Sequence, residues 1–273
     1  MTDKMTEKRK KLNKPTYTAT LCVLGALLVA AITLYYLPDF HYLDDSVADG
    51  LIKEACVRLA ASLLIAFFVA TSADRGVFSP NIKGLPINLL IALPCFAVAI
   101  VNFPFSALIT GEATVERVDL IWLLIVDCVL IGFFEELFFR GMLLNFVADR
   151  FIKKRGGVFV TVIITSALFG LFHLINLTSG AGISGTLLQV VYTFLIGAML
   201  AFVMLKTKDL WLCALIHAVF DIGGAIVVKL GSGAFQDAVF WILTVAVGVV
   251  CGVYVFVMLM KMQKDANREG EEI

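Results

Sequence analysis

Apolar runs of membrane-crossing length follow one another through almost the whole chain, and few folds are open to a chain built that way. Hydrocarbon offers no water to backbone N–H and C=O groups, so a run of about 20 apolar residues satisfies them internally as a helix. The runs fall near 17–37, 55–71, 85–103, 119–147, 158–177, 186–205, 209–229 and 238–260. They predict an all-α polytopic membrane protein with about eight transmembrane helices in one bundle. A hydrophobic share of 60% and a mean hydropathy of +0.94 agree. A soluble domain would hold about 45–50% apolar residues.

The run from Tyr17 to Leu37 exceeds the about 7–15 residues of a signal-peptide core and reads as a retained span. The expected organisation is a basic cytoplasmic tail at 1–16, a transmembrane domain at 17–260 with its motifs in 119–229, and a second cytoplasmic tail at 261–273. Lysine and arginine gather on alternate connections: Lys4 to Lys14, then Arg75 and Lys83, Arg150 to Arg155, Lys206 and Lys208, and Lys261 to Arg268. The intervening connections carry Asp39, Asp44, Asp45, Asp49, Glu112, Glu116 and Asp237, with Lys53, Arg117 and Lys229 as a basic minority. Basic loops stay inside, so both termini are expected in the cytoplasm. A net charge of zero without a basic face gives no sign of a nucleic-acid partner. The six cysteines stand singly in apolar runs and read as small hydrophobes, not as a disulfide framework.

Ionisable groups inside such spans are costly and are functional candidates by default. In FFEELFFRG, Phe133 to Gly141, Glu136 and Arg140 stand one turn apart on one face, acid first. Glu135 points about 100° away and is left as the unpaired carboxylate suited to a general base. A structural ion pair beside one solvated glutamate is the alternative. In ALFGLFHLIN, Ala167 to Asn176, Phe169 and His173 are one turn apart. A lone helical histidine is more often a packing residue, but this one keeps unusual company. The chain has only three histidines, and His41 falls in an acidic connection where a surface role suits it.

In HAVFD, His217 and Asp221 share one face, so the carboxylate either orients the imidazole, shares a ligand with it, or makes a structural hydrogen bond to another helix. Gly223 and Gly224 permit close approach of a helix or a substrate. Arg58 and Asp127 also lie within spans and either line a cavity or pair with another buried group. Phe133, Phe134, Phe138 and Phe139 are expected to pack against lipid and neighbouring helices. On these boundaries Glu135 lies at mid-span with His173 and His217 towards opposite sides, so tilt has to bring them together.

A carboxylate base, two imidazoles and a further carboxyl are the groups needed to activate water and hold an oxyanion, which points to hydrolysis. Ser166 and Ser184 have no GxSxG around them, and no HExxH is present. EExxxR, FxxxH and HxxxD, in this order on successive spans, resemble the CAAX prenyl proteases and bacteriocin-processing enzymes, the Abi-type intramembrane endopeptidases, over Phe133 to Asp221. The resemblance implies that Glu135 and His173 activate water while His217 and residue 221 hold the oxyanion, with Glu136 and Arg140 in support. It leaves open a divalent metal such as zinc as cofactor. It also implies a membrane-associated substrate, either a prenylated or leader-bearing peptide, and in a bacterial plasma membrane a role in bacteriocin processing or self-immunity. Many members carry asparagine where this chain has Asp221, and an ionised aspartate cannot donate to an oxyanion, so Asp221 is protonated, orients His217 or helps hold a metal. The rival is a non-catalytic immunity or scaffold protein, or a proton-coupled transporter.

Overall fold

A computed structural model describes residues 43–72 and 75–271; the predicted span 17–37, the tail 1–16, Cys22 and His41 lie outside the described residues. Helix α1, Ser46–Ser72, starts well before the expected 55 because the Asp45 carboxylate caps it, accepting from the amides of Val47 and Ala48 at 3.1 Å each. Its first half therefore carries Asp49, Lys53, Glu54 and Arg58 into the bundle. Helix α2, Leu85–Val101, has a proline in its first turn, where no backbone donor is lost, and is followed by the short α3, Phe105–Thr110.

A small sheet departs from the all-helical expectation. Strand β1, Ala113–Val115, pairs antiparallel with β2, Gly231–Gly233, with Thr114 opposite Ser232. The amides of Glu116 and Arg117 both donate to the Leu230 carbonyl, at 2.8 and 2.9 Å. The connections before α4 and after α8 are thus tied together, and this end of the bundle is the sheet end.

Helix α4, Ile121–Glu136, does not run on to 147 as a regular helix: Leu137–Leu144 forms a wider π-helical stretch, and α5, Asn145–Phe151, resumes the α form. The Asn145 side-chain amide donates to the Gly141 carbonyl at 2.8 Å, satisfying an acceptor in the widened turn. Helix α6, Gly157–Phe172, tightens into a 3₁₀ stretch at His173–Ser179. Helices α7, Ile183–Thr207, and α8, Leu210–Leu230, follow, the latter capped by Asp209 through the Leu212 amide. Helix α9, Ala238–Glu271, continues past 260, and the Gln263 side-chain oxygen accepts from the Val158 amide at 2.9 Å, so part of the segment read as a tail packs on the start of α6.

Among the described residues, five helices are long and apolar enough to cross a membrane: Ile82–Val101, Gly157–Thr178, Ile183–Thr207, Leu210–Leu230 and Ala238–Arg268. Of the three other expected spans, 17–37 lies outside the described residues, and α1 and α4 carry charged residues within them. Leu63, Phe67, Leu90, Ile242 and Val250 are exposed on the outside, as lipid-facing side chains are. The packing is densest where α4 lies on α8 and α6 on α7. Glycine makes both contacts close. A Cβ on Gly132 would lie 2.7 Å from the Ala214 carbonyl oxygen, and one on Gly197 3.2 Å from the Ser166 Cα. Cys95, Cys128, Cys213 and Cys251 are buried as small hydrophobes, while Cys56 is exposed.

Candidate active site

The Gly132 contact decides the local arrangement. It lets the last turn of α4 meet the middle of α8, so Glu135 and Glu136 both face His217, a residue 81 positions away. Glu136 is fully buried, and one of its oxygens, Oε1, takes Arg140 Nη1 at 2.7 Å and His217 Nδ1 at 2.8 Å. Arg140 also donates to the Gly197 carbonyl at 3.1 Å, and its guanidinium lies 4.6 Å from the centre of the Phe169 ring. The predicted Glu136–Arg140 pair is present, and it has the further task of holding the imidazole. An ionised carboxylate only accepts, so Nδ1 of His217 carries a proton and is fixed by it.

The other imidazole nitrogen faces away from that pair. His217 Nε2 lies 3.5 Å from Asp221 Oδ2 and 3.8 Å from Glu135 Oε2. The side chains of Glu135 and Asp221 are 14% and 22% exposed, against none for Glu136, so a closed tier holds the ring and an accessible tier surrounds its free nitrogen. Glu135 Oε2 is buried without a hydrogen bond, as is Glu136 Oε2, but it is not remote from a cation, since His217 Nε2 lies 3.8 Å away.

Phe169 links His173 to this group. The Phe169 ring stands edge-on to His217 at 5.8 Å between centroids and to His173 at 5.2 Å. His173 is one turn beyond Phe169, as Asp221 is one turn beyond His217, and His173 is half-buried. Among the described residues it makes no hydrogen bond or ion pair to Glu135, His217 or Asp221. Its Nδ1 faces the Phe169 carbonyl at 3.0 Å, and since a carbonyl only accepts, Nδ1–H donates and Nε2 is the nitrogen turned away from that bond. Residue spacing put the two histidines at opposite depths; in the structure both stand edge-on to the one Phe169 ring.

Gly223 is approached by the turn after α2, not left open to a substrate: a Cβ there would lie 2.7 Å from Phe103 Cδ2. The Asn102 side chain donates to the Phe220 carbonyl at 2.7 Å and so pins the backbone next to Asp221. The aromatic run packs as expected, Phe133 on Trp211 and Phe139 on Phe169. Two turns towards the sheet end, Arg58 bonds both Glu54 and Asp127, while Lys229 bonds Glu54 and lies 3.6 Å from Asp127 Oδ2. These four charges neutralise one another and take no part in the accessible tier.

Sequence spacing missed the Glu136–His217 bond and the Asn102 contact, since nothing local in the chain joins positions so far apart. Among the described residues no group of three or more His, Cys, Asp or Glu side chains is arranged to hold a metal ion, so a divalent cation has no three-residue ligand set in this arrangement.

Acids and imidazoles enclosed by helices of this length and apolarity define an integral membrane protein with a buried polar site. Residues 117–223, which carry all three motifs, match the family model described as Rce1-like, type II CAAX prenyl endopeptidase, and over this segment the chain is similar to that family. Neither curated proteins nor solved structures gave a match.

Proposed function

We propose that this protein is an intramembrane endopeptidase that hydrolyses a peptide bond in a membrane-associated substrate, a prenylated or leader-bearing peptide, with water activated by Glu135 and His173. The observation that carries the reading is the two-sided setting of His217: one nitrogen held by Glu136 at 2.8 Å, the other opening between Glu135 and Asp221 at 3.8 and 3.5 Å.

Water lies between Glu135 Oε2 and His173 Nε2, both acceptors, with its oxygen turned to the scissile carbonyl. The water oxygen bonds to the carbonyl carbon, the C=O electron pair moves onto oxygen, and Glu135 takes the proton. His217, protonated on both nitrogens, donates through Nε2 to the oxyanion while Nδ1 stays on Glu136. On collapse the C–N bond breaks and the leaving nitrogen takes the proton from Glu135. Asp221 orients His217 from the side opposite Glu136. The basic connections support a cytoplasmic location for both termini, and the setting proposed is a bacterial plasma membrane with bacteriocin or leader-peptide maturation, or self-immunity, as the physiological role.

The test is cleavage of a panel of farnesylated and leader-bearing peptides by the protein in liposomes, read by mass spectrometry. Wild type cuts at least one of them, and Glu135→Gln and His173→Ala lower the rate by about 10²–10⁴-fold at normal protein level. A Glu135→Gln variant cutting at the wild-type rate, or proton flux with no cleavage of any peptide by wild type, defeats the reading.

A further inference from the structure

Gly223 and Gly224 lie just beyond the HxxxD motif, and the turn after α2 fills the space they leave. That turn is stiff: the Phe103 amide donates to the Ile100 carbonyl at 3.1 Å, Pro104 follows, and the Phe103 and Phe105 rings stack at 5.5 Å. A Cβ on Gly223 would meet the Asn102 carbonyl oxygen at 3.0 Å, and one on Gly224 the Asn102 side-chain nitrogen at 3.1 Å. With neither Cβ in the way, the buried Asn102 amide reaches the Phe220 carbonyl at 2.7 Å. That oxygen and the Asp221 N–H belong to one planar peptide group, so a hydrogen bond to the first fixes the plane from which the Asp221 side chain leaves. The Asp221 carboxylate depends on its backbone for its place, because among the described residues no hydrogen bond holds it and His217 Nε2 is 3.5 Å away. Asn102 itself lies outside residues 117–223, which carry the family likeness.

We propose that Asn102 is a positioning residue of this site: its amide holds the peptide that carries Asp221, and through Asp221 it sets the direction of the free nitrogen of His217. The proposal rests on the hydrolase reading above, in which that nitrogen donates to the oxyanion. Asn102 touches neither water nor substrate in this scheme and moves no proton. It acts through geometry, where a misplacement of about 1 Å costs up to about 10²-fold in rate. Its contribution to folding is smaller. Phe220 sits inside α8, so its carbonyl keeps the helical amide of Gly224 as a partner when the side-chain donor is removed. Position and stability are thus separable at this residue.

The experiment is a double-mutant cycle of Asn102→Leu and Asp221→Ala in the full-length protein in liposomes, with Glu135→Gln alongside, on a peptide that wild type cuts. Asn102→Leu is expected to lower kcat by about 10-fold, with KM within about twofold and the thermal midpoint nearly unchanged. A phosphinate analogue of the peptide, which mimics the tetrahedral oxyanion and is measured without turnover, binds this variant about 10-fold more weakly. In the Asp221→Ala background the same substitution changes that binding by less than about twofold, because no carboxylate remains to be placed. An equal loss in both backgrounds is the mark of a purely structural role and overturns the proposal. Gly224→Ala is the second variant, and decides the matter where Asn102→Leu does not fold. It keeps the amide but crowds it off the carbonyl, so kcat falls although alanine suits a helix better than glycine. Wild-type kcat in Asn102→Leu, or in Gly224→Ala where Asn102→Leu is not folded, overturns the assignment of Asn102 alone when Glu135→Gln is inactive. Glu135→Gln retaining cleavage removes the hydrolase reading and this proposal with it.

Discussion

His217 Nδ1 and Arg140 Nη1 meet on a single oxygen of Glu136, at 2.8 and 2.7 Å. Two cationic donors on one buried carboxylate oxygen make Glu136 the hub of the closed tier, and they separate its task from that of the adjacent Glu135. One glutamate holds the imidazole; the other stands 3.8 Å from its second nitrogen, on the more exposed side.

The two glutamates should therefore fail differently. Glu136→Gln leaves the Arg140 guanidinium, 2% exposed, without its counter-charge, and breaking a buried pair costs about 3–5 kcal/mol. A lower thermal midpoint and poor recovery of folded protein in detergent are expected. Glu135→Gln removes a carboxylate that has no hydrogen bond on Oε2, so its midpoint stays near wild type while cleavage is lost. Equal midpoints for the two variants would contradict this division.

Gly132→Ala should hurt both stability and activity. The added Cβ would stand 2.7 Å from the Ala214 carbonyl oxygen and 3.0 Å from the Ala218 nitrogen, backbone atoms that move only if α4 and α8 separate. Overpacking of this kind costs about 1–3 kcal/mol, and the separation carries Glu135 away from His217. Gly252→Ala on α9 is the control, with nothing within 4 Å of its Cβ, and is expected to be neutral or slightly stabilising. Thermal unfolding and peptide cleavage, measured on both variants, decide it.

The parts of this site that were legible in the sequence are the parts written at one-turn spacing. Glu136 with Arg140, Phe169 with His173, and His217 with Asp221 each lie on one helical face whatever the tertiary structure, and each pair is in contact or in line in the fold. The bond from Glu136 to His217 depends on how closely α4 approaches α8, which a single glycine governs and no periodicity records. The π stretch at Leu137–Leu144 was hidden for a related reason: the run is apolar around Arg140, so its pattern does not distinguish a wide turn from a regular one. The start of α1 was read too late because Asp49, Lys53 and Glu54 look like loop residues, whereas Glu54 is matched by Arg58 and Lys229 inside the bundle. Charge that is neutralised across helices is invisible to a hydropathy reading of one helix.

That ion network gives a third prediction. Asp127 is fully buried and is bonded by Arg58, with Lys229 3.6 Å away. Asp127→Ala leaves two cations to share Glu54, and the expected loss is about 3 kcal/mol. Cleavage per folded molecule should change little, because the network lies two helical turns, about 12 Å along the axis, from Glu135. A variant that folds normally but no longer cleaves would instead place Asp127 in the reaction.

The fourth prediction concerns pH at the sheet end, outside the spans. Arg117 holds Asp45 through two hydrogen bonds, at 2.5 and 3.2 Å, and the same carboxylate caps α1 through the Ala48 and Val47 amides. The Arg117 guanidinium first, and the Ala48 amide next, keep the Asp45 carboxyl at about 2, below its ordinary 3.8. A carboxyl whose value is depressed on folding contributes its stability above the unfolded value and loses it as pH falls through the folded one. The cap should thus stay intact as pH is lowered through the ordinary carboxylate range and open only near about 2. Hydrogen exchange at the amides of Val47 and Ala48 reports it directly: protection holds through pH 3.8 in wild type and is lost well below it, whereas Asp45→Ala, which has no side-chain acceptor, shows weak protection at every pH. Loss of protection in wild type centred on the ordinary 3.8 would show that Arg117 does not grip the cap as the geometry requires.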